Sequence, residues 1–251
     1  MKNKDKYNFS DFTFDEYEFL ISIAKEHYLF RNFDNFEKGE RFIIWRHDID
    51  FSMISALELA ELDAKNGIQS TFFLLPHSEF YNLLEKESKV IVDRIKELGH
   101  QIGLHFDSHY YGVNSENQLD ELIRRETAFF ESLFDIKISC FSFHNTTDFT
   151  MSCTNWTYGG LINTYADYFR NEVGYCSDSN GYWRHDRMKD VLKKAEDYCI
   201  QILTHDCWWQ KKIQSPKQKV HEMIESAAQS KKDYYTNLLT INGRTIIDWE
   251  D

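Results

Sequence analysis

The sequence has little proline, no long apolar run and no excess of basic residues. It holds two prolines in 251 residues, Pro76 and Pro216, and neither a Pro/Gly-rich stretch nor an internal repeat divides it. No run approaches the roughly 18 apolar residues of a membrane helix, and the polar amino terminus has no apolar signal region. We therefore expect one catalytic-size domain over residues 1–251, with no membrane insertion and a cytoplasmic location.

Charge and cysteine content exclude further classes. The chain has 29 basic and 41 acidic residues, a net charge of -12, which repels phosphate backbones, so nucleic acid is not an expected partner. The five cysteines are odd in number and form no C-x-x-C pair, which predicts neither a disulfide framework nor a structural zinc site. We expect them to be reduced thiols.

Apolar runs alternate with segments of helical periodicity, which is typical of βαβ units. A helix over 14–29 lies in an N-terminal helical extension, residues 1–40, which we expect to pack on the main sheet. The predicted strands are 42–45, 70–75, 101–106, 138–143, 173–177 and 200–204. The other predicted helices are 52–66, 87–98, 116–133, 161–169, 187–198 and 216–230. Six or seven parallel strands with outer helices predict an α/β fold, either a barrel or a doubly wound sheet.

Histidine or aspartate follows four of the predicted strands. These polar segments are 46–50 (RHDID), 105–109 (HFDSH), 144–145 (HN) and 205–206 (HD). A single Asp or His at a strand end often only caps the next helix. Since active sites of parallel α/β folds lie at the carboxyl ends of the strands, the coincidence of four such ends favours a catalytic site. A carboxylate and two histidines four residues apart could supply three ligands to one cation and leave a position for water.

These motifs resemble those of the polysaccharide deacetylase family, carbohydrate esterases with the NodB-homology fold. The resemblance spans residues 46–208 and implies a distorted (β/α) barrel of about seven strands. It implies that Asp48 is the catalytic base and that Asp50, His105 and His109 bind the metal. The late L-x-H motif makes His205 the catalytic acid.

The third motif departs from the family's pattern. Where the family has an arginine beside a proline, this chain has Phe-Ser-Phe followed by His144 and Asn145. Arg46 and Arg184 are the candidates to replace the arginine that tunes the base. His144 and Asn145 are expected to line the substrate groove.

Two other motif positions leave alternatives open. Asp178 and Trp183 stand where the family's fourth motif has an aspartate and a tryptophan, and Asp178 is the candidate to orient His205. Asp107 lies between the two histidines of the second motif and could replace His109 as third ligand. Oxygen and nitrogen ligands both suit zinc.

The resemblance implies a hydrolase that removes an acetyl or other small acyl group from an amino sugar, in surface-polysaccharide biosynthesis. Its expected cofactor is one divalent cation, zinc first, with cobalt, nickel, iron or manganese as substitutes. One alternative is a catalytically impaired sugar-binding protein with the same fold. Another is a phosphatase with a D-x-D nucleophile, which would need a downstream lysine and an acidic pair. A helical H-D phosphohydrolase is disfavoured because this H-D pair follows a strand.

Overall fold

The computed structural model describes residues 3–244. A 3₁₀ turn spans Phe9–Phe12. The helices are α1 Asn3–Lys6, α2 Phe14–His27, α3 Met53–Lys65, α4 Lys86–Glu97, α5 Ser108–Tyr111, α6 Glu116–Phe134, α7 Asp148–Ser152, α8 Asp167–Asn171, α9 Met188–Lys194 and α10 Pro216–Ile241. The strands are β1 Leu29–Arg31, β2 Phe42–Ile49, β3 Thr71–Leu74, β4 Gln101–Asp107, β5 Cys140–His144, β6 Thr157–Tyr158, β7 Leu161–Asn163, β8 Gly174–Ser177 and β9 Ile200–His205.

All these strands belong to one sheet, in the order β6-β7-β5-β4-β3-β2-β9-β8, with β1 paired to the first half of β2. The pairs are parallel except β6 with β7. Within residues 3–244 the edge strands β6 and β8 do not pair with each other, so the barrel is incompletely closed. The predicted α/β fold with a distorted barrel is confirmed, and residues 3–244 contain nine strands rather than the predicted seven or so.

Several predicted elements have different bounds. The strand predicted over 42–45 continues to Ile49, so the polar residues 46–48 lie within β2 instead of after it. The helix predicted over 161–169 is wrong: Leu161–Asn163 is a strand paired to β5, and only Asp167–Asn171 is helical. Pairing with a neighbouring strand satisfies this backbone and overrides the local periodicity. Residues 1–40 are not all helical, since β1 joins the sheet.

Strand β2 is buried along its whole length because apolar layers cover both faces of the sheet. Successive side chains of a strand point to opposite faces. Ile43 and Trp45 accordingly belong to the large core beneath the helices, whereas Phe42 and Ile44 belong to a smaller core on the concave face. The apolar run therefore specifies a central strand.

Helix α2 packs on the outer core through one apolar face, which includes Tyr17, Leu20 and Ile21. Thr13 caps it by accepting a hydrogen bond from the Glu16 backbone N–H. No helix within residues 3–244 is long and apolar enough to cross a membrane. All five cysteines are buried and unpaired.

Alternation and register bring the polar residues together on the concave face. On β2, Arg46 and Asp48 continue the face of Phe42 and Ile44, above the smaller core. Asp48 is in register with His205 on β9, its hydrogen-bonded neighbour. The same face of the remaining strands carries His105 on β4, and Ser142 and His144 on β5. The carboxyl ends of four strands thus form one polar edge.

Candidate active site

Asp48 is buried between a guanidinium and a hydroxyl. Its Oδ2 accepts hydrogen bonds from Arg46 Nη2 at 3.1 Å and from Ser142 Oγ at 3.0 Å. Among the described residues, no hydrogen bond reaches its other oxygen, Oδ1, although that atom is buried. One oxygen is therefore held in place while the other is free to accept a proton.

Arg46 is 1% exposed and forms the centre of a buried polar cluster. Its Nη1 donates to Thr164 Oγ1 at 2.8 Å and to Gln201 Oε1 at 3.0 Å, and its Nη2 also donates to Tyr165 Oη at 3.3 Å. These partners fix the guanidinium beside Asp48. Of the two arginines considered for this role, Arg46 contacts Asp48, from the same strand as the aspartate.

Asp50 and His105 meet at the centre of the polar edge. His105 Nε2 lies 3.2 Å from Asp50 Oδ1 and 3.7 Å from Asp48 Oδ2. Its other ring nitrogen, Nδ1, lies 3.3 Å from the carbonyl oxygen of Ser142, to which it can donate. In the neutral ring, that bond leaves the Nε2 lone pair directed at the two carboxylates, the arrangement common to metal-binding histidines.

The charges of these groups support one another. Burial opposes ionisation of Asp50, but the close contact and charge of His105, with the charges of His205 and His144, outweigh it and lower the pKa of Asp50. Burial likewise disfavours a charged His105, yet Asp48 and Asp50 raise its pKa. The two carboxylates therefore favour the charged form of the His105 ring.

His144 comes close to this pair. Its Nε2 lies 4.0 Å from Asp50 Oδ1, and its ring centroid lies 5.2 Å from that of His105. Burial and the neighbouring His105 lower the pKa of His144, which favours the neutral ring that binds metals. Asn145 Nδ2 lies 3.1 Å from His144 Nε2.

His109 and Asp107, the alternative third ligands, have other contacts. His109 Nε2 lies 2.7 Å from the carbonyl oxygen of Asn145. Asp107 Oδ1 caps α5 by accepting from the backbone N–H groups of His109 and Tyr110, while its Oδ2 lies 3.5 Å from His144 Nδ1. Both residues line a cavity that Asp50 also lines, but within residues 3–244 no ion pair joins His109 to Asp50.

The donor set around Asp50 fits a cation. Within residues 3–244, no group of three or more His, Cys, Asp or Glu side chains already has the spacing of a metal site. Asp50 Oδ1 is nevertheless buried without a hydrogen bond and faces two imidazole Nε2 atoms, at 3.2 and 4.0 Å. Ligand atoms around a tetrahedral zinc stand about 3.4 Å apart. Asp50, His105 and His144 therefore offer the ligand types of a zinc site, with His105 at about the ligand–ligand distance from Asp50 and His144 somewhat farther away.

His205 is held by the fully buried Asp178. Asp178 Oδ1 lies 2.6 Å from His205 Nδ1, and its Oδ2 accepts from the His205 backbone N–H at 2.8 Å and from Trp209 Nε1 at 2.9 Å. Burial opposes the charged ring, but Asp178, followed by Asp50 and Asp48, outweighs it and raises the pKa of His205 to about 10. Asp178 therefore contacts both the ring and the backbone of His205.

Trp183 and Arg184, adjacent in sequence, lie in different surroundings. Trp183 Nε1 donates to Asp11 Oδ2 at 2.7 Å and its ring stacks on Phe12, so Trp183 ties the N-terminal segment to the domain. Arg184 lines the large groove above Asp50, whereas Trp183 does not.

Asp206 is a site residue to which the motifs assigned no role. It is fully buried and accepts three backbone N–H groups, from Asp50 at 3.0 Å, Phe51 at 3.2 Å and Ser52 at 2.6 Å. It therefore fixes the turn that follows β2 and the position of Asp50. The sequence indicated Asp206 only by its position directly after His205, because the three amides that it binds are distant in sequence.

Comparisons with known proteins were made against families, curated proteins and solved structures. No family model and no curated protein matches the chain. Among solved structures, a CE4 esterase from Streptococcus mutans is 15% identical over 78% of this chain and 84% of that one, with a TM-score of 0.47. The Colletotrichum lindemuthianum chitin deacetylase is 14% identical over 74% of this chain and 81% of that one, with a TM-score of 0.43. A CE4 family pseudoenzyme from Bacillus anthracis is 12% identical over 77% of this chain and 63% of that one, with a TM-score of 0.40. At these TM-scores the similarity assigns neither activity nor substrate to this chain.

Proposed function

We propose that the protein is a metal-dependent hydrolase that removes an acetyl or other small acyl group from an amino sugar. The observation that carries this proposal is the juxtaposition of Asp48 and His205 in register on neighbouring strands, beside Asp50 and His105. A base, an acid and a cation-binding carboxylate then border one cavity of about 340 Å³. Surface-polysaccharide biosynthesis, in the cytoplasm, stays part of the proposal.

Asp50 and His105 would hold the cation. Of the two histidines that could complete the set, the distances favour His144, although His109 is the ligand that the sequence motif predicts. A divalent cation there supplies charge that polarises an acyl carbonyl and acidifies water. Zinc suits one carboxylate and two imidazoles.

The chain's own groups supply the proton transfers. Asp48 is suited to take a proton from the attacking water through its free Oδ1, because Arg46 and Ser142 hold its Oδ2. His205, charged through Asp178, is suited to donate a proton to the departing amine, which is too basic to leave as an anion. Asp48 and His205 border the same cavity, so both side chains can reach one scissile bond.

Activity on acetylated amino sugars tests the proposal. Protein loaded with zinc, cobalt or nickel should release acetate, and Asp48→Asn and His205→Ala should each lower kcat by on the order of 10²–10⁴-fold. His221→Ala, on the exposed face of α10, is the matched control and should keep full activity. No acetate release by the loaded wild-type protein, with sugar still bound, would favour the impaired sugar-binding alternative.

Metal content distinguishes the third ligand. His144→Ala should lower the zinc content of equilibrated protein more than His109→Ala, with His105→Ala as the positive control, measured by elemental analysis. The opposite order would restore the ligand set of the sequence motif. Zinc retained by all three variants would contradict the proposed site.

The phosphatase alternative receives no support from the groove. The described residues that line the two cavities at the site include no lysine, which a D-x-D phosphatase requires. Release of phosphate from sugar phosphates, sensitive to Asp48→Asn, would revive it.

A further inference from the structure

A groove of about 910 Å³ extends from Asp50 and His205 to aromatic side chains with no part in the proposed chemistry. Its lining includes Tyr110, which is 62% exposed, and Phe80, which is 44% exposed. Aromatic rings left in water at the edge of a catalytic groove forgo the free energy of burial. Their surfaces are available to a ligand that enters the groove.

The ring of Tyr110 is immobilised by a buried polar cluster. It stacks on the His77 imidazole, with centroids 3.7 Å apart and an interplanar angle of 11°. His77 Nε2 lies 2.6 Å from Glu126 Oε1, and the Tyr111 hydroxyl donates to the same oxygen at 2.6 Å. Glu126 is 5% exposed, so these contacts are well shielded from water. A buried carboxylate thus fixes the imidazole that supports an exposed ring.

The second aromatic ring is fixed in a similar way. Phe80 packs on Phe51, with ring centroids 4.5 Å apart, and the ring centroids of Phe51 and Trp208 are 5.8 Å apart. Both exposed rings therefore have little conformational freedom left to lose when a ligand binds. Preorganised rings of this kind suit a rigid ligand.

The polar lining indicates which rigid ligand fits. An aromatic face is electron-rich and attracts the weakly positive C–H face of a pyranose. Asn145, Asn180 and Ser179 line the same groove and can bind hydroxyl groups. Three carboxylates, Asp50, Glu79 and Asp107, line the groove together with two cationic side chains, Arg184 and His205, so the lining side chains have no positive excess that would attract a diphosphate group.

We infer that Tyr110, supported by His77 and Glu126, forms a subsite for a second, uncharged sugar ring of a glycan substrate, beside the acylated ring. The inference rests on the proposed function, because it places the acylated sugar at Asp50. The enzyme would then act on an oligosaccharide in preference to a nucleotide-linked monosaccharide. Stacking at Tyr110 would contribute to substrate affinity and not to the chemical step.

Binding to metal-free protein tests the subsite without catalysis. The probes are the β-1,4-linked trimer of N-acetylglucosamine and the monosaccharide, measured by titration calorimetry. Tyr110→Ala should raise Kd for the trimer about tenfold, in line with the loss of one stacking contact, and should leave the monosaccharide unaffected. Tyr110→Phe, which keeps the ring, should bind within about twofold of wild type. Tyr234→Ala, an equally exposed tyrosine on α10, is the matched control.

A double-mutant cycle tests the support of the ring. His77→Ala should weaken trimer binding in the wild-type background and add little in the Tyr110→Ala background, because it acts through that ring. In metal-loaded protein, Tyr110→Ala should raise KM for the trimer and leave kcat nearly unchanged. Additive effects of the two substitutions would overturn the role of His77.

Other outcomes separate this inference from the proposed function. Acetate release with an unchanged KM in Tyr110→Ala would overturn the subsite and leave the deacetylase proposal standing. Trimer binding that depends on Tyr110, without any acetate release, would support the subsite and overturn the activity. Tighter binding of a uridine-diphosphate-linked sugar than of the trimer, or no trimer binding at all, would overturn the subsite.

Discussion

Replacement of Asp178 by Asn should lower the pKa of His205 while leaving its ring in place. Asp178 offers both oxygens as acceptors, one to His205 Nδ1 at 2.6 Å and the other to two N–H donors, the His205 amide and the Trp209 indole. An Asn amide has one acceptor and one donor end. Its NH₂ group must therefore face either the imidazole N–H or the two donors, and neither orientation satisfies all three.

The magnitude follows from the raised pKa. A change from the ordinary 6.5 to about 10 corresponds to several kcal/mol of preference for the charged ring, at about 1.4 kcal/mol per unit. Asp178 is the largest favourable contribution, ahead of Asp50 and Asp48. Because the pKa in the folded protein is raised, the contribution to the free energy of unfolding is full below pH 6.5 and is lost as pH rises towards 10. Asp178→Asn should thus destabilise the protein most below pH 6.5.

Histidine titration by NMR, on metal-free protein, measures the effect directly. In the wild type, His205 should titrate near pH 10, and in Asp178→Asn several units lower, towards its ordinary value. In metal-loaded enzyme the alkaline limb of the pH–rate profile should move the same way. A cation at Asp50 would cancel part of that carboxylate's attraction, so the limb should lie below pH 10. An unchanged His205 titration in Asp178→Asn would refute the reasoning.

Three further substitutions test how the site is held together. Arg46→Lys keeps the charge but loses the planar guanidinium beside Asp48. We expect the free energy of unfolding, measured in urea, to fall by about 1–3 kcal/mol and kcat to fall as well. Unchanged stability would contradict the role of the hydrogen bonds of Arg46. Asp206→Asn leaves at least one of three backbone amides without an acceptor, so the free energy of unfolding should fall by about 1–3 kcal/mol and zinc should bind more weakly. Full zinc affinity would show that Asp206 does not position the turn. A Cβ in Gly103→Ala would overlap the Phe73 ring, so thermal unfolding should show about 1–3 kcal/mol of destabilisation, unless the ring moves without cost.

The sequence predicted the central strands well because their apolar runs leave one interpretation. The apolar-rich segments 42–45, 101–106 and 200–204 lie in β2, β4 and β9, and their bounds agree with those of the strands to within a few residues. The segment 161–169 failed because its short strand is defined by pairing with β5, which is remote in sequence. Local periodicity cannot report such a partner.

The sequence indicates which residues form the candidate site better than it indicates which of them contact each other. His205 and Asp178 pair as expected from their order in the motifs. Their closeness to Asp48 arises from direct pairing of β2 with β9, two strands that are remote in sequence. The approach of His144 to Asp50, and not of His109, depends on side-chain orientations at two strand ends, which the spacing of residues does not determine.

Insertion of β9 between β2 and β8 has a consequence for synthesis of the chain. The contact of His47 with Thr204 joins residues 157 positions apart, so β2 leaves the ribosome long before its partner exists. Until residues 200–205 emerge, one side of an apolar strand is an unpaired edge, the kind of edge that recruits other chains. Pairing over such a distance is slow. A nascent chain that ends before β9 should therefore be inactive and prone to aggregate, and yield should depend on chaperones that cover this edge.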